Sequence, residues 1–266
     1  MLSIETHGRV RLVTLNRPAA RNAVDPALAG WLYEAMLEFE ANPDVDAAVL
    51  TGAGGAFCAG FDLKAAATGA AEDWIAGLEI PEGWRDPIGQ PLASPMGPAR
   101  LMLSKPVIAA IEGPAVAGGM ELALWCDMRV MAENAQLGVF CRRWGVPLID
   151  GGTVRLPMVV GQGRANDLIL TGRPVDATEA QAMGLAERVV AAGQARDAAL
   201  ALADSLTRFP QACLRADHLS TRLAPEDLAR RLRREWTSVR TALAEGVAGA
   251  ARFAAGHGRG GSFADI

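Results

Sequence analysis

Two stretches gather the residue types that chemistry at a carbonyl needs. Residues 54–64, GGAFCAGFDLK, and residues 106–127, PVIAAIEGPAVAGGMELALWCD, each run a strand-like segment into a tight turn of small residues. In the second stretch a helix over 118–126 begins at once. The first turn of a helix leaves backbone N–H groups without partners and carries partial positive charge. Glycine lets a ligand approach that backbone closely. Glu121 follows Gly118 by three positions, so it lies one turn in on the same face. An oxygen held at the Gly118 N–H would therefore have a carboxylate nearby. That suits enolate chemistry, in which N–H donors stabilise an oxyanion while an acid or base moves a proton at carbon. The same residues also fit a plainer role, with Glu121 offsetting the helix dipole and the glycines merely packing.

A third stretch, LGVFCRRWGVPLIDGGT over 137–153, is mostly apolar and ends in the lone carboxylate Asp150 between Ile149 and Gly151. Asp150 either caps a turn into a helix near Gly152-Thr153 or works as an acid or base, its pKa raised by apolar neighbours if buried. Cys141 reads as a small apolar packing residue. Arg142, Arg143 and Trp144 read as rim or interface residues.

Several other chemistries are set aside. The three histidines, His7, His218 and His257, lie in no strand–turn–helix context, and no GxSxG occurs, so a hydrolase triad is not expected. There is no HExxH and no paired Cys/His cluster, so no metal site is expected, and there is no Walker loop. Gly256, Gly258 and Gly261 spell GxGxxG, but they follow a helix where no βαβ unit can form. The run Arg230, Arg231, Arg233, Arg234 lies on a helix and reads as a solvated face or subunit contact. The net charge of −4 argues against nucleic acid or an anionic membrane as a partner. No apolar run reaches the roughly 20 residues of a spanning helix, and residues 1–10 lack the apolar region of a secretory signal. The four scattered cysteines fit reduced thiols and a cytoplasmic location.

The elements that must position these residues follow from periodicity. Strands are expected over 10–15, 45–50, 106–111, 128–131 and 187–190. Asp25-Pro26 opens an amphipathic helix with Leu28, Trp31, Leu32, Ala35, Met36 and Phe39 at helical spacing. Asp176 with Glu179 resembles a capping box for a helix that stops at Gly184. Residues 65–100 read as a loop with short helical pieces, of the kind that forms lids, in which Trp74, Trp84 and Pro91 either shape a pocket or serve as ordinary core or lid packing. Beyond about 195 only helix signals remain, and Pro225 opens one long helix with Leu228, Leu232, Val239 and Leu243 on a stripe. The tail GHGRGGS is flexible by composition. With 266 residues, half of them hydrophobic, the chain is expected to form an α/β core with an α-helical C-terminal region.

Taken together, the motifs resemble the crotonase (enoyl-CoA hydratase/isomerase) superfamily. LNRPAARNAV (15–24), VLTGAGGAFCAGFDLK (49–64), PVIAAIEGPAVAGGMELALWCD (106–127), GGTVRLPMVVG (151–161) and LTGRPVDATEAQAMGLAERVV (170–190) follow the family's order across nearly the whole chain. The resemblance implies a core of repeated ββα units over residues 1–195. It also implies a helical region over 196–266 that drives assembly into a homotrimer or a dimer of trimers. The implied ligand is an acyl-CoA thioester, with coenzyme A as part of the substrate and no separate cofactor. Phe61 and Gly118 fall on the positions whose N–H groups form the family's oxyanion hole. Coenzyme A would pass along Ala23, Ala59, Asp62 and Leu63, with Arg21 and Lys64 near its phosphates. Glu121 matches the first catalytic glutamate of the hydratases, whereas the second falls on Cys141. Asp150 instead falls where dienoyl-CoA isomerases and 4-chlorobenzoyl-CoA dehalogenase carry a catalytic aspartate. The reading is hydratase or double-bond isomerase chemistry. Thioester hydrolysis, decarboxylation or C–C cleavage on the same scaffold is the alternative, and a non-catalytic acyl-CoA binder a further one.

Overall fold

The computed structural model describes residues 1–67 and 70–258. Residues 259–266, with Gly261 and the rest of the glycine-rich tail, lie outside the described residues, as does the side chain of Leu243. In chain order the elements are β1 (Leu2–His7), β2 (Val10–Leu15), α1 (Pro26–Ala41), β3 (Ala47–Gly52), α2 (Leu63–Ala67), α3 (Ala70–Ala76), β4 (Val107–Ile111), β5 (Pro114–Val116), α4 (Gly118–Trp125), β6 (Met128–Ala132) and β7 (Gln136–Gly138). They continue with α5 (Gly152–Val160), α6 (Gln162–Thr171), β8 (Pro174–Asp176), α7 (Ala177–Ala182), β9 (Arg188–Val190), α8 (Ala195–Thr207), α9 (Gln211–Ser220), α10 (Pro225–Trp236) and α11 (Ser238–Ala254).

A larger sheet has the order β1-β2-β3-β4-β6-β9 and a smaller one the order β5-β7-β8. From β2 to β9 the larger sheet is parallel; only β1 pairs antiparallel, at the edge. The chain repeatedly places one strand in the large sheet, the next in the small sheet, and then a helix. β4, β5 and α4 form one such turn. β3 begins another, whose small-sheet member is a single bridge from Cys58 to Ala115 ahead of α2. This is the expected ββα repeat. Strands covered on both faces read as unbroken apolar runs, as in AAVLTG and VIAAI. The edge strand β1, LSIETH, exposes its last four residues and gave no such signal.

α1 begins as expected, with the Asp25 carboxylate accepting from Leu28 N at 2.8 Å and Pro26 in the first turn. Trp31 departs from its expected place. It stands at the margin of the buried stripe and is 51% exposed. The capping box at Asp176 is half formed: Asp176 accepts from Glu179 N at 2.8 Å, but the Glu179 carboxylate binds Arg173 instead. The long helix expected from Pro225 is broken at Thr237 into α10 and α11.

Residues 65–100 are less of a loop than expected. Leu78, Ile80 and Trp84 form a second apolar cluster with Met102, Val154, Leu228, Leu232 and Trp236, so the segment is packed beneath α10. Pro91 is exposed. α8, which begins at residue 195, supplies Ala195, Ala199, Leu202 and Ala203 to the main core. No helix among the described residues is long and apolar enough to cross a membrane. All four cysteines are free; Cys58, Cys126 and Cys141 are buried and Cys213 is exposed.

Candidate active site

The turn into α4 is built from backbone that ordinary residues avoid. Ala117 has φ 53° and ψ −126°, and is held by its N–H on Gly138 O at 2.8 Å. The chain thereby enters α4 sharply, with the Gly118 N–H finding no acceptor among the described residues. Against it lies Gly60, at φ 93°; a Cβ there would stand 2.9 Å from Gly118 N. Only glycine allows this approach. The next residue, Phe61, sits in a parallel bridge with Val24, where Val24 N donates to Gly60 O and Asp62 N to Val24 O, both at 2.8 Å. N–H groups alternate in direction along an extended strand, so the Phe61 N–H points away from that pairing. It too has no acceptor among the described residues. Two open N–H groups are thus carried by adjoining segments, one turn from Glu121. The Met96 thioether borders them, since a Cβ on Gly118 would lie 2.6 Å from its sulfur.

Glu121 and Asp150 are 3% and 2% exposed and belong to one cluster. Glu121 Oε1 accepts from Asp150 N and from Gly152 N, each at 2.9 Å. Asp150 Oδ1 accepts from Met96 N at 2.9 Å, and the Ser94 side chain is a further partner. The turn-cap reading of Asp150 is corrected here. α5 starts at Gly152, capped by Gly151 with no side-chain hydrogen bond, and Asp150 faces the 94–96 segment. The N-terminal N–H groups of α5 are taken by more distant acids. Glu235, from α10, accepts from Gly151 N at 2.6 Å, Thr153 N at 2.8 Å and Thr153 Oγ1 at 2.7 Å.

Burial raises the proton affinity of all three acids at this helix end, and neighbouring negative charge adds to it at Glu121 and Glu235. Burial first, then the negative charges of Asp150 and Glu235, push the Glu121 carboxyl well above the usual carboxylate range, against the pull of its two N–H bonds. Burial raises Asp150 as well, opposed by Ser94, the Met96 N–H, Arg100 and Arg155. Burial, with a smaller push from Asp150, brings Glu235 up to about 7. Arg100 is wholly buried, stacks 4.4 Å over Trp236, and donates through Nη1 to Leu78 O and Ala93 O at 2.7 and 2.8 Å. Its Nε and Nη2 have no acceptor among the described residues.

Cys141 lies within electrostatic reach of Glu121, and its thiol is pushed up to about 12, chiefly by burial. Arg142 is exposed, as a rim residue should be. Arg143 and Trp144 are not: both are buried, Trp144 edge-on to Phe253 of α11 at 5.4 Å. Arg21, Ala23, Ala59, Asp62, Leu63 and Lys64 do come together, with Ala59 N donating to Arg21 O at 3.0 Å. Arg21 and Lys64 are exposed and make no ion pair among the described residues. Asp62 is committed, accepting from Lys64 N at 3.1 Å and from Arg17 at 3.0 Å. Glu235, Arg100, Met96 and Arg17 were not singled out in the sequence. A cavity of about 300 Å³ opens elsewhere, at the far end of α4 between Trp125, Met158 and Leu228. Among the described residues no group of His, Cys, Asp and Glu side chains is gathered as metal ligands.

Comparison with known proteins shows the family. The model of the enoyl-CoA hydratase/isomerase family matches residues 5–243. The chain is 40% identical over 211 residues to enoyl-CoA hydratase EchA19 of Mycobacterium tuberculosis, covering 77% of this chain and 73% of that protein. It is 38% identical over 206 residues to carnitinyl-CoA dehydratase of Proteus mirabilis, covering 77% and 74%. Among solved structures, EchA1_1 of Mycobacterium paratuberculosis superposes with a TM-score of 0.76 at 32% identity, covering 94% of each chain. A carnitinyl-CoA dehydratase of Mycobacterium avium superposes at 0.74 with 33% identity, covering 92% and 93%. A family model spanning most of the chain and relatives this similar show that the protein is a member of the enoyl-CoA hydratase/isomerase family of enzymes, within the crotonase superfamily.

Proposed function

We propose that this chain acts on acyl-CoA thioesters in the manner of an enoyl-CoA hydratase or isomerase, with the Phe61 and Gly118 N–H groups as the oxyanion hole. The observation that carries this reading is the pair of N–H groups of Phe61 and Gly118, without an acceptor among the described residues, with the buried carboxylate of Glu121 one helical turn from Gly118. The thioester oxygen accepts from both donors, so negative charge that develops as water adds at the β-carbon, or as the α-carbon loses a proton, is met by donors already in place. Preorganised donors of this kind are worth about 10²–10³ in kcat each.

Glu121 and Asp150 share the proton transfers. One takes a proton from water or from carbon while the other returns one to carbon. Glu121 has one oxygen committed to two N–H bonds, which leaves the other for this task. Carboxyls with raised proton affinity exchange protons close to neutral pH, where acid/base catalysis is most efficient. Cys141, a neutral thiol where the hydratases carry their second glutamate, packs beside the site. Coenzyme A runs along Ala23, Ala59, Asp62 and Leu63, where the unpaired Arg21 and Lys64 attract its phosphates. The region over 196–266 mediates assembly into a trimer or a dimer of trimers.

The test is incubation with a panel of enoyl-CoA thioesters in heavy water, followed by mass spectrometry, with Glu121→Gln and Asp150→Asn alongside. Addition of one heavy-water molecule, lost in both variants, supports hydration by this pair. Deuterium uptake without water addition supports isomerisation. Release of free coenzyme A, with neither of these changes, would overturn the reading in favour of hydrolysis.

A further inference from the structure

We propose that Glu235 is a positioning residue of this centre: a carboxylate delivered by α10 that clamps the turn between Asp150 and Thr153 with both oxygens, and whose charge controls the protonation of Glu121. The inference rests on the reading of Glu121 and Asp150 as the acid/base pair.

The hydrogen bonds alternate along the turn. Asp150 N and Gly152 N donate to Glu121 at 2.9 Å, while Gly151 N and Thr153 N donate to Glu235 at 2.6 and 2.8 Å. Four successive N–H groups are therefore shared between two acids that approach from α4 and α10. The turn cannot rotate without losing one set. There is little room for it to slide, because a Cβ on Gly151 would meet Arg155 Nη1 at 1.9 Å and Leu232 of α10 at 3.4 Å.

The charged groups facing Glu235 come from every element around it. Glu121 stands on α4, Asp150 just ahead of α5, and Arg155 on α5, donating to Asp150 O at 3.1 Å and Ala99 O at 2.7 Å. Arg100 precedes β4 and stacks on Trp236, whose Nε1 donates to Glu79 at 3.2 Å. Negative charges outnumber positive ones when all four acids are ionised, and Glu121, Asp150 and Glu235 are all buried. Glu235 titrates at about 7, so near neutral pH it is partly charged. Its negative form disfavours the negative form of Glu121. Glu235 loses its proton as pH rises, and each loss makes Glu121 hold its own more tightly. A residue that only capped α5 would supply the hydrogen bonds without this coupling.

The experiment follows the Glu121 carboxyl by NMR in protein carrying carboxyl-labelled glutamate, with Glu121→Gln to assign its signal, across pH. In the parent, the Glu121 signal should move in two steps, one coinciding with the midpoint of Glu235. In Glu235→Gln the Glu121 midpoint should move to lower pH by on the order of one unit, because a neighbouring negative charge is gone. In Thr153→Val, which removes a hydroxyl donor that holds Glu235 down, the Glu235 midpoint should move to higher pH and the coupled step of Glu121 should move with it. The pH profile of kcat should shift with the Glu121 midpoint in Glu235→Gln, and KM should hold. A single-step Glu121 titration in the parent, or an unmoved midpoint in Glu235→Gln, would overturn the proposal. If the midpoint shifts while Glu121→Gln turns over normally, the coupling stands and the acid/base reading fails instead.

Discussion

Two adjacent glycines at the start of α4 make the sharpest test of the oxyanion geometry. An alanine methyl at position 119 would lie 2.1 Å from Cys58 O, 2.8 Å from Cys58 C and 2.9 Å from Cys58 Cβ. An ordinary carbon–oxygen contact is longer by about 1 Å, and a packed interior has no slack to supply it. Cys58 cannot yield cheaply, because Cys58 N donates to Pro114 O at 3.1 Å and Cys58 O accepts from Val116 N at 3.0 Å. The strain must therefore separate the 58–61 segment from α4, carrying the Phe61 N–H away from the Gly118 N–H. A displacement of about 1 Å at such a site costs about 10²-fold in rate, and losing one donor outright costs about 10²–10³ in kcat. Overpacking should lower stability by about 1–3 kcal/mol. At position 118 the atoms nearest the methyl all belong to the Met96 side chain, its sulfur at 2.6 Å, and that flexible side chain can turn aside. The assay is kcat and KM for an enoyl-CoA thioester, with the unfolding midpoint, for Gly119→Ala and Gly118→Ala. Gly119→Ala should lose kcat by about a hundredfold while remaining folded, and Gly118→Ala should lose less. A folded Gly119→Ala with kcat within a factor of about three of the parent would refute the reasoning.

Two further outcomes follow from burial and packing. Gly30 lies inside α1 with nothing within 4 Å of an added Cβ, so Gly30→Ala should raise stability by about 0.5–1 kcal/mol, read by denaturant titration; a decrease would show a contact that the structure lacks. Cys58, Cys126 and Cys141 are buried with thiols pushed up by burial, the first and last to about 12, whereas Cys213 is exposed. An aromatic disulfide reagent near neutral pH should therefore release one equivalent of thiolate from the native chain and four after unfolding, and a second fast equivalent would count against a closed site.

Much of the site was legible because its signals are local. Gly118 and Glu121 lie on one helical turn, and Asp25-Pro26 marks its helix start within two residues. The buried strands stand out as apolar runs. What stayed hidden was set by tertiary contact. Glu235 follows four arginines within six positions, RRLRRE, where an acid reads as a surface partner of its neighbours. Only the packing of α10 turns it inward. Met96 and Arg100 fall in a Pro- and Gly-rich stretch with no steady period, which becomes ordered only against α10. Asp150 stood out as a lone acid in an apolar stretch but gave no direction, since a cap and a buried acid look alike ahead of Gly-Gly-Thr.

The clamp on the Asp150–Thr153 turn joins residues 84 positions apart in the chain. On the ribosome, the sheet, α4 and α5 emerge well before α10. Until α10 docks, Gly151 N and Thr153 N are open to water and Glu121 holds the turn alone. The order of synthesis therefore places the scaffold ahead of the clamp, and a chain cut before α10 keeps Glu121 but not the Glu235 bonds to the turn.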